Sequence, residues 1–272
     1  MSRPFFGGMK TMQKRIISLT LLAALLLLSL TACAQAAPPA ETPSPEPSPT
    51  PAAEPTPAVD PDTPEGRALA KGLPAPPDVD ITSWEFILAN SYNSIAEYEP
   101  DYGGLEGQGF DSRAVDAASA FLKGARDAGY MAFMAVAYRN YEYLLNHYIG
   151  MVAALGSAEE TAKIMFGPGT SDHQTGLAID FTDDYSLASN YNNFFNEGFE
   201  DTELFSWLCE HCAEYGFILR YPEGKEEYYG TACAGHFRYV GVDAATYIME
   251  NGICLEEFIL LYDPDAVYLP KK

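Results

Sequence analysis

The spacing of hydrophobic and polar positions divides the 272-residue chain into three stretches. From Ile16 to Leu30 the chain is largely apolar, preceded by Arg3, Lys10, Lys14 and Arg15 and free of acidic residues. That run is short for a bilayer span and ends in small residues, so residues 1–32 are expected to be a cleaved export signal. From Pro38 to Pro64, 11 prolines alternate with Ala, Glu, Ser and Thr, and almost nothing there could be buried. Residues 33–77 are therefore expected to be an extended tether. Regular periodicity begins near Asp78 and predicts one domain over 78–272.

Within that domain the period alternates between helix and strand. Trp84 to Leu88 predicts a strand or extended segment leading to a turn at Ser91-Tyr92-Asn93. Ala114, Ala117, Ala118, Phe121, Leu122 and Ala125 recur at helical spacing, and Gly129 ends the element. Tyr130 to Ala137 is a continuous apolar run, expected to be a buried strand. Tyr141 to Leu155 returns to helical spacing, and Ala158 to Phe166 predicts a short helix before Gly167-Pro168-Gly169. Leu177-Ala178-Ile179-Asp180-Phe181 alternates large apolar with small or acidic residues, which makes a strand with Asp180 facing away from the core. A helix over 201–215, ended by Gly216, precedes strands at Phe217 to Tyr221 and His236 to Val240. Helices followed by clustered strands predict an α+β domain, an antiparallel sheet with flanking helices.

Charge narrows the partners. The formal net charge is −22, and residues 1–32 hold four of the 16 Lys and Arg but none of the 38 Asp and Glu, so the remainder stands near −26. Such a field excludes nucleic acid as a partner. Leu30-Thr31-Ala32-Cys33 resembles the lipobox of bacterial lipoproteins, which implies that Cys33 is acylated and that the protein is anchored to the outside of the cell membrane. The other cysteines are Cys209, Cys212, Cys233 and Cys254. In an exported protein two disulfides are the expectation, with three pairings open. A redox pair at Cys209 and Cys212 is the alternative. Nothing in the sequence demands more than a monomer.

The chain has four histidines: His147, His173, His211 and His236. His173 lies in a polar, glycine-flanked loop that runs into the strand of Asp180, and His236 opens another strand. Two strands of one sheet could bring His173, Asp180 and His236 around a metal. Two histidines and a carboxylate suit zinc, but equally non-haem iron. His147 and His211 are read as packing or surface residues.

Ser171-Asp172-His173-Gln174-Thr175-Gly176-Leu177-Ala178-Ile179-Asp180 resembles the SxHxxGxAxD block of VanY-type zinc D-alanyl-D-alanine carboxypeptidases. Tyr138-Arg139, Gly216 to Glu226, and His236-Phe237-Arg238-Tyr239-Val240-Gly241 are similar to further blocks of that family, in the same order. The resemblance implies a hedgehog/D,D-peptidase fold with Zn²⁺ held by His173, Asp180 and His236. It also implies that Arg139 binds substrate carboxylate or stabilises the transition state, and that Tyr138 and Ser171 help to hold a peptidoglycan stem peptide.

The chain departs from the family before its last histidine, where Cys233-Ala234-Gly235 replaces Glu-Pro-Trp, and around Tyr138-Arg139. Cys233 stands where the family's proton-transferring glutamate precedes the last histidine by three residues, and Val136 and Leu144 replace the usual Ser and Gln around Tyr138-Arg139. Three accounts of Cys233 stay open. Glu226 or Glu227 takes over as base, Cys233 is a fourth zinc ligand, or Cys233 is half of a disulfide. Removal of the terminal D-alanine is the first functional reading. The alternatives are a relative that binds the peptide without cleaving it, and cleavage of another wall bond.

Overall fold

The computed structural model describes residues 59–189, 198–230 and 235–269. The signal, Cys33, most of the proline-rich stretch and Cys233 lie outside the described residues.

A four-stranded antiparallel sheet organises the domain. Its strands are β3 (Phe133–Val136), β4 (Ala178–Thr182), β5 (Phe217–Leu219) and β6 (His236–Tyr239), in the order β3-β4-β6-β5. Strand β4 is interior, so both its edges are hydrogen-bonded and all five of its residues are buried. Alternation along the strands sends Phe181, Phe237 and Phe217 to one face, where Phe121 of α2 (Val115–Asp127) meets them at ring-centroid distances of 5.0, 5.7 and 5.1 Å. Phe121 sits at the centre of the spacing Ala118, Phe121, Leu122, Ala125, which is the buried stripe of α2. Helix α6 (Glu203–His211), continued by a 3-10 turn to Tyr215, closes the same core with Leu204, Leu208 and Cys212. The opposite face carries Asp180, His236 and Arg238. Beyond them Ile218 and Val240 pack on α8 (Val242–Asn251) and α9 (Leu255–Tyr262).

The α+β expectation and the antiparallel sheet are observed. Helix α3 spans Tyr141–Leu155, the range its periodicity predicts, with Asn140 capping the Tyr143 amide and Gly156 closing it in a left-handed turn. Helix α4 (Ala158–Ala162) stops short of Phe166, where Lys163 N and Ile164 N bond back three residues, to Glu160 O and Thr161 O.

Several expectations are corrected. Trp84 to Leu88 forms no strand: Trp84–Phe86 is a single 3-10 turn, and the Glu85 and Ile87 carbonyls instead accept from Arg238 Nη2 at 2.9 and 2.8 Å. A hairpin of β1 (Tyr102–Leu105) and β2 (Gln108–Asp111), unpredicted, turns on Glu106 and Gly107, both with positive φ. The folded unit also begins before Asp78. Helix α1 (Pro64–Ala70) buries Ala68 against α9, and Arg67 donates to Leu261 O and Tyr262 O at 2.6 and 2.8 Å. Pro64 thus serves as a helix-starting residue, where its missing N–H costs nothing.

Among the described residues no disulfide forms: Cys209, Cys212 and Cys254 are free thiols. Cys212 faces the core under α2, while Cys254 lies in a separate cluster with Tyr221 and Tyr229. Burial pushes the Cys209 and Cys212 thiols up, to about 11 and about 12, opposite to the lowered pKa on which a redox pair relies.

Candidate metal centre

Strand register places the first two site residues. In the antiparallel pair β4/β6, Asp180 is the direct partner of His236, and both side chains rise on the face away from Phe181 and Phe237. The third arrives on a turn. Asp172–Thr175 is a 3-10 turn closed by Gly176 at φ 74°, and its side chains pin it from several directions. Gln174 accepts from Gly169 N at 2.8 Å and donates to Ala96 O and Tyr98 O, while Thr175 donates to Asp172 O at 2.6 Å. This polar loop is buried throughout, and it covers Asp180 so that a residue pointing away from the apolar core is still only 5 % exposed.

His173 Nε2 lies 3.0 Å from Asp180 Oδ2, and His236 Nδ1 lies 2.7 Å from Asp180 Oδ1. The imidazole centroids are 4.7 Å apart with planes inclined at 67°. One donor atom from each residue falls within 4.8 Å of the others, and this is the one such group of His, Cys, Asp and Glu among the described residues. Burial works against ionising Asp180, but the two imidazoles outweigh it and hold its carboxyl well below the usual range. Burial pushes His173 down, whereas at His236 the carboxylates of Asp180 and Asp172 overcome burial and push the imidazole up.

Hydrogen bonding alone does not account for the cluster. Asp180 Oδ1 is buried without a hydrogen-bond partner although His236 Nδ1 stands 2.7 Å from it, and His173 Nε2 faces the other oxygen at 3.0 Å. Two imidazole nitrogens and a carboxylate that face one another within 4.8 Å form a donor set that a divalent metal satisfies. The set matches zinc sites that keep an open position.

Beside the centre lies a cleft of about 380 Å³ lined by Tyr102, Gln108, Tyr138, Arg139, Asn140 and Tyr143. Arg139 joins the two, because its backbone N–H donates to His173 O at 3.2 Å and its guanidinium lies 5.1 Å from the Tyr143 ring centroid. Tyr138 packs on Tyr102 at 5.0 Å. Ser171 is buried at the head of the His173 turn, where its carbonyl accepts from Gln174 N. Sequence reasoning missed Tyr102 and Gln108, which come from the unpredicted hairpin. Gln108 bonds Ala137 N and Ala135 O and so fixes the end of β3 that leads to Arg139. His147 and His211 stay outside the centre: His147 stacks on Tyr143, and His211 pairs with Glu214 at 2.8 Å. Glu226 and Glu227 are exposed on the short helix α7 (Glu226–Tyr229), with Glu226 accepting from Gly224 N of its own turn.

Residues 107–242 match the VanY family, described as D-alanyl-D-alanine carboxypeptidase. A D-alanyl-D-alanine carboxypeptidase of Enterococcus faecalis is 33% identical over 209 residues, covering 73% of each chain. Among solved structures, VanYB in complex with D-alanine-D-alanine superposes with a TM-score of 0.55 at 33% identity, over 65% of this chain and 98% of that one. A vancomycin-resistance D,D-pentapeptidase VanY, a glutamate-to-alanine mutant in complex with Zn(II), gives 0.54 at 31% identity, over 65% and 99%. With fold, buried His/Asp/His centre and relatives in agreement, the chain belongs to the VanY family of D-alanyl-D-alanine carboxypeptidases.

Proposed function

We propose that this chain is a zinc-dependent carboxypeptidase that removes the terminal D-alanine from peptidoglycan stem peptides. The observation that carries the reading is the buried His173, Asp180 and His236 cluster, with an Asp180 oxygen that no hydrogen bond satisfies, beside an arginine-bearing cleft. Those three residues would hold the zinc. When bound, zinc lowers the pKa of a water molecule and polarises the scissile carbonyl.

The chain's own residues supply the rest. Arg139, beside His173 and backed by Tyr143, is placed to pair with the peptide's terminal carboxylate, a charge-assisted contact that orients the last residue. Tyr138 and Tyr102 form an apolar wall for the peptide, and Ser171 helps to hold it at the head of the His173 turn. Neither buried aspartate can act as general base, since Asp172 is bound by Arg238 and Asp180 is turned to both imidazoles. The sequence places Cys233 at the family's glutamate position, so this chain works without that carboxylate as proton carrier.

Cys33 would anchor the protein through its lipid, with the proline-rich stretch holding a monomeric domain away from the membrane and within reach of the wall. Among the described residues no helix is long and apolar enough to cross a membrane.

The test is zinc content together with D-alanine release from a stem pentapeptide. Stoichiometric zinc and release that EDTA or His173→Ala abolishes is the expected result. Zinc uptake with no release of D-alanine would overturn the carboxypeptidase reading and leave a peptide-binding protein.

A further inference from the structure

Behind His236, on the side away from Asp180, lies a buried set of charges that the reaction outlined above does not use. Asp172 Oδ1 accepts from Arg238 Nη1 at 2.5 Å, and Asp172 Oδ2 stands 3.4 Å from Arg220 Nε and 3.5 Å from His236 Nε2. Arg220 in turn donates to both oxygens of Glu256, at 2.9 and 2.7 Å, and Asn90 Nδ2 donates to Glu256 Oε1 at 2.7 Å. Asp172, Arg220, Arg238 and Glu256 are all 0% exposed. Two carboxylates balance two guanidiniums, so the set is neutral as a whole.

Stability is a poor reason for such a set. Apolar residues of similar volume often serve a core at least as well as buried ion pairs do. Here, moreover, Asp172 Oδ2, Arg220 Nε and His236 Nε2 have no hydrogen-bond partner, although they converge to within 3.5 Å. What the set does fix is the direction of one oxygen. Arg238 holds Oδ1, Glu256 clamps the guanidinium that flanks Oδ2, and Oδ2 is left facing the imidazole.

We infer that Asp172, held by Arg238, Arg220 and Glu256, is a positioning residue that accepts from the Nε2–H of His236 and leaves Nδ1 as the atom offered to the metal. His236 has two carboxylate neighbours, Asp180 at Nδ1 and Asp172 at Nε2. A metal at Nδ1 excludes the proton there, so the proton must sit on Nε2, and Asp172 is its acceptor. Partners of this kind set the tautomer and ring orientation of a ligating histidine and raise its basicity. Asparagine cannot substitute, because its single oxygen can serve Arg238 or His236 but not both. The inference rests on the zinc reading of the site.

The experiment measures the zinc affinity of the full chain by chelator competition, for wild type, Asp172→Asn and Glu256→Gln, with unfolding followed by circular dichroism. Folded Asp172→Asn is expected to bind zinc about 10–100-fold more weakly than wild type. Glu256→Gln should weaken it less, in the same direction. In ¹⁵N-labelled, zinc-loaded wild type the His236 Nε2 proton should be protected from exchange, and in Asp172→Asn that protection should be lost. A merely structural role would lower the melting temperature and leave both readouts of the folded protein unmoved. Wild type that takes up no zinc overturns the metal reading and this inference with it. Wild type that binds zinc beside a folded Asp172→Asn of unchanged affinity overturns the inference alone. Should Asp172→Asn fail to fold, Glu256→Gln decides: unchanged zinc affinity and proton protection overturn the inference, and a loss of both supports it.

Discussion

Replacing Gly176 with alanine tests how the metal loop is held. Gly176 joins the His173 turn to β4 at φ 74°, and a Cβ there would lie 2.8 Å from Pro100 Cγ and 3.3 Å from Asp111 N. The left-handed conformation costs an L-residue about 1–2 kcal/mol. The contact adds about 1–3 kcal/mol of overpacking, because neither neighbour can swing aside. Pro100 is a closed ring, and Asp111 N is tied to Gly176 O by a 2.8 Å hydrogen bond. The sum, about 2–5 kcal/mol, is a large part of an ordinary domain's stability of about 5–15 kcal/mol. At about 2–4 °C per kcal/mol for a domain of this size, Gly176→Ala should lower the melting temperature by roughly 4–20 °C. Since Gly176 N also donates to His173 O at 3.2 Å, zinc affinity should fall with it. Two controls separate the contributions. At Gly129 (φ 99°) a Cβ meets nothing within 4 Å, so Gly129→Ala reports the strain alone. Gly150, inside α3 and equally open, should gain about 0.5–1 kcal/mol as alanine. A Gly176→Ala melting temperature no lower than that of Gly129→Ala would refute the argument that close packing around Gly176 holds the loop.

Three further outcomes follow from the site and the core. Cys233→Glu should raise kcat for D-alanine release by about 10²–10⁴, the range a general base supplies, and no gain would mean that the missing carboxylate is not the limiting group. Arg139→Ala should lose about 1.5–3 kcal/mol of binding to the peptide carboxylate, roughly 10–150-fold in kcat/KM, with zinc content unchanged; loss of zinc instead would make Arg139 a prop for the His173 loop. Phe121→Ala removes the ring that meets Phe181, Phe217 and Tyr215 at 5.0, 5.1 and 5.3 Å, and should cost about 3–5 kcal/mol in urea unfolding. A cost under about 1 kcal/mol would show that the core collapses around the gap.

The parts of this protein that were legible in its sequence are those whose positions obey a local period. The stripe Ala118, Phe121, Leu122, Ala125 announces α2, and the alternation through Ile179, Asp180 and Phe181 announces both β4 and the side on which Asp180 stands. His173 and His236 were findable because a polar loop and a strand start carry them to the same sheet face as Asp180. The β1/β2 hairpin was hidden because four glycines in Tyr102–Asp111 erase its alternation, and its turn uses Glu106-Gly107 rather than the Asn-Gly or Asp-Gly that marks such turns. Helix α1 was hidden by Pro64, which reads as tether until α9 is present to receive Ala68. The charges behind His236 are the extreme case. Arg238 meets Asp172 across 66 residues, Arg220 meets Glu256 across 36, and Asn90 meets Glu256 across 166. No period links such positions, and each reads on its own as a solvated polar residue. Only the fold, by burying all four charges together with neutral balance, makes them a single object, which stands against His236 and, through Asp172, next to His173, while the cleft is lined by Arg139, Tyr138 and Tyr102. The metal centre and the peptide cleft are therefore separable by mutation: changes at Asp172 or Glu256 should act through zinc, and changes at Arg139 through the peptide.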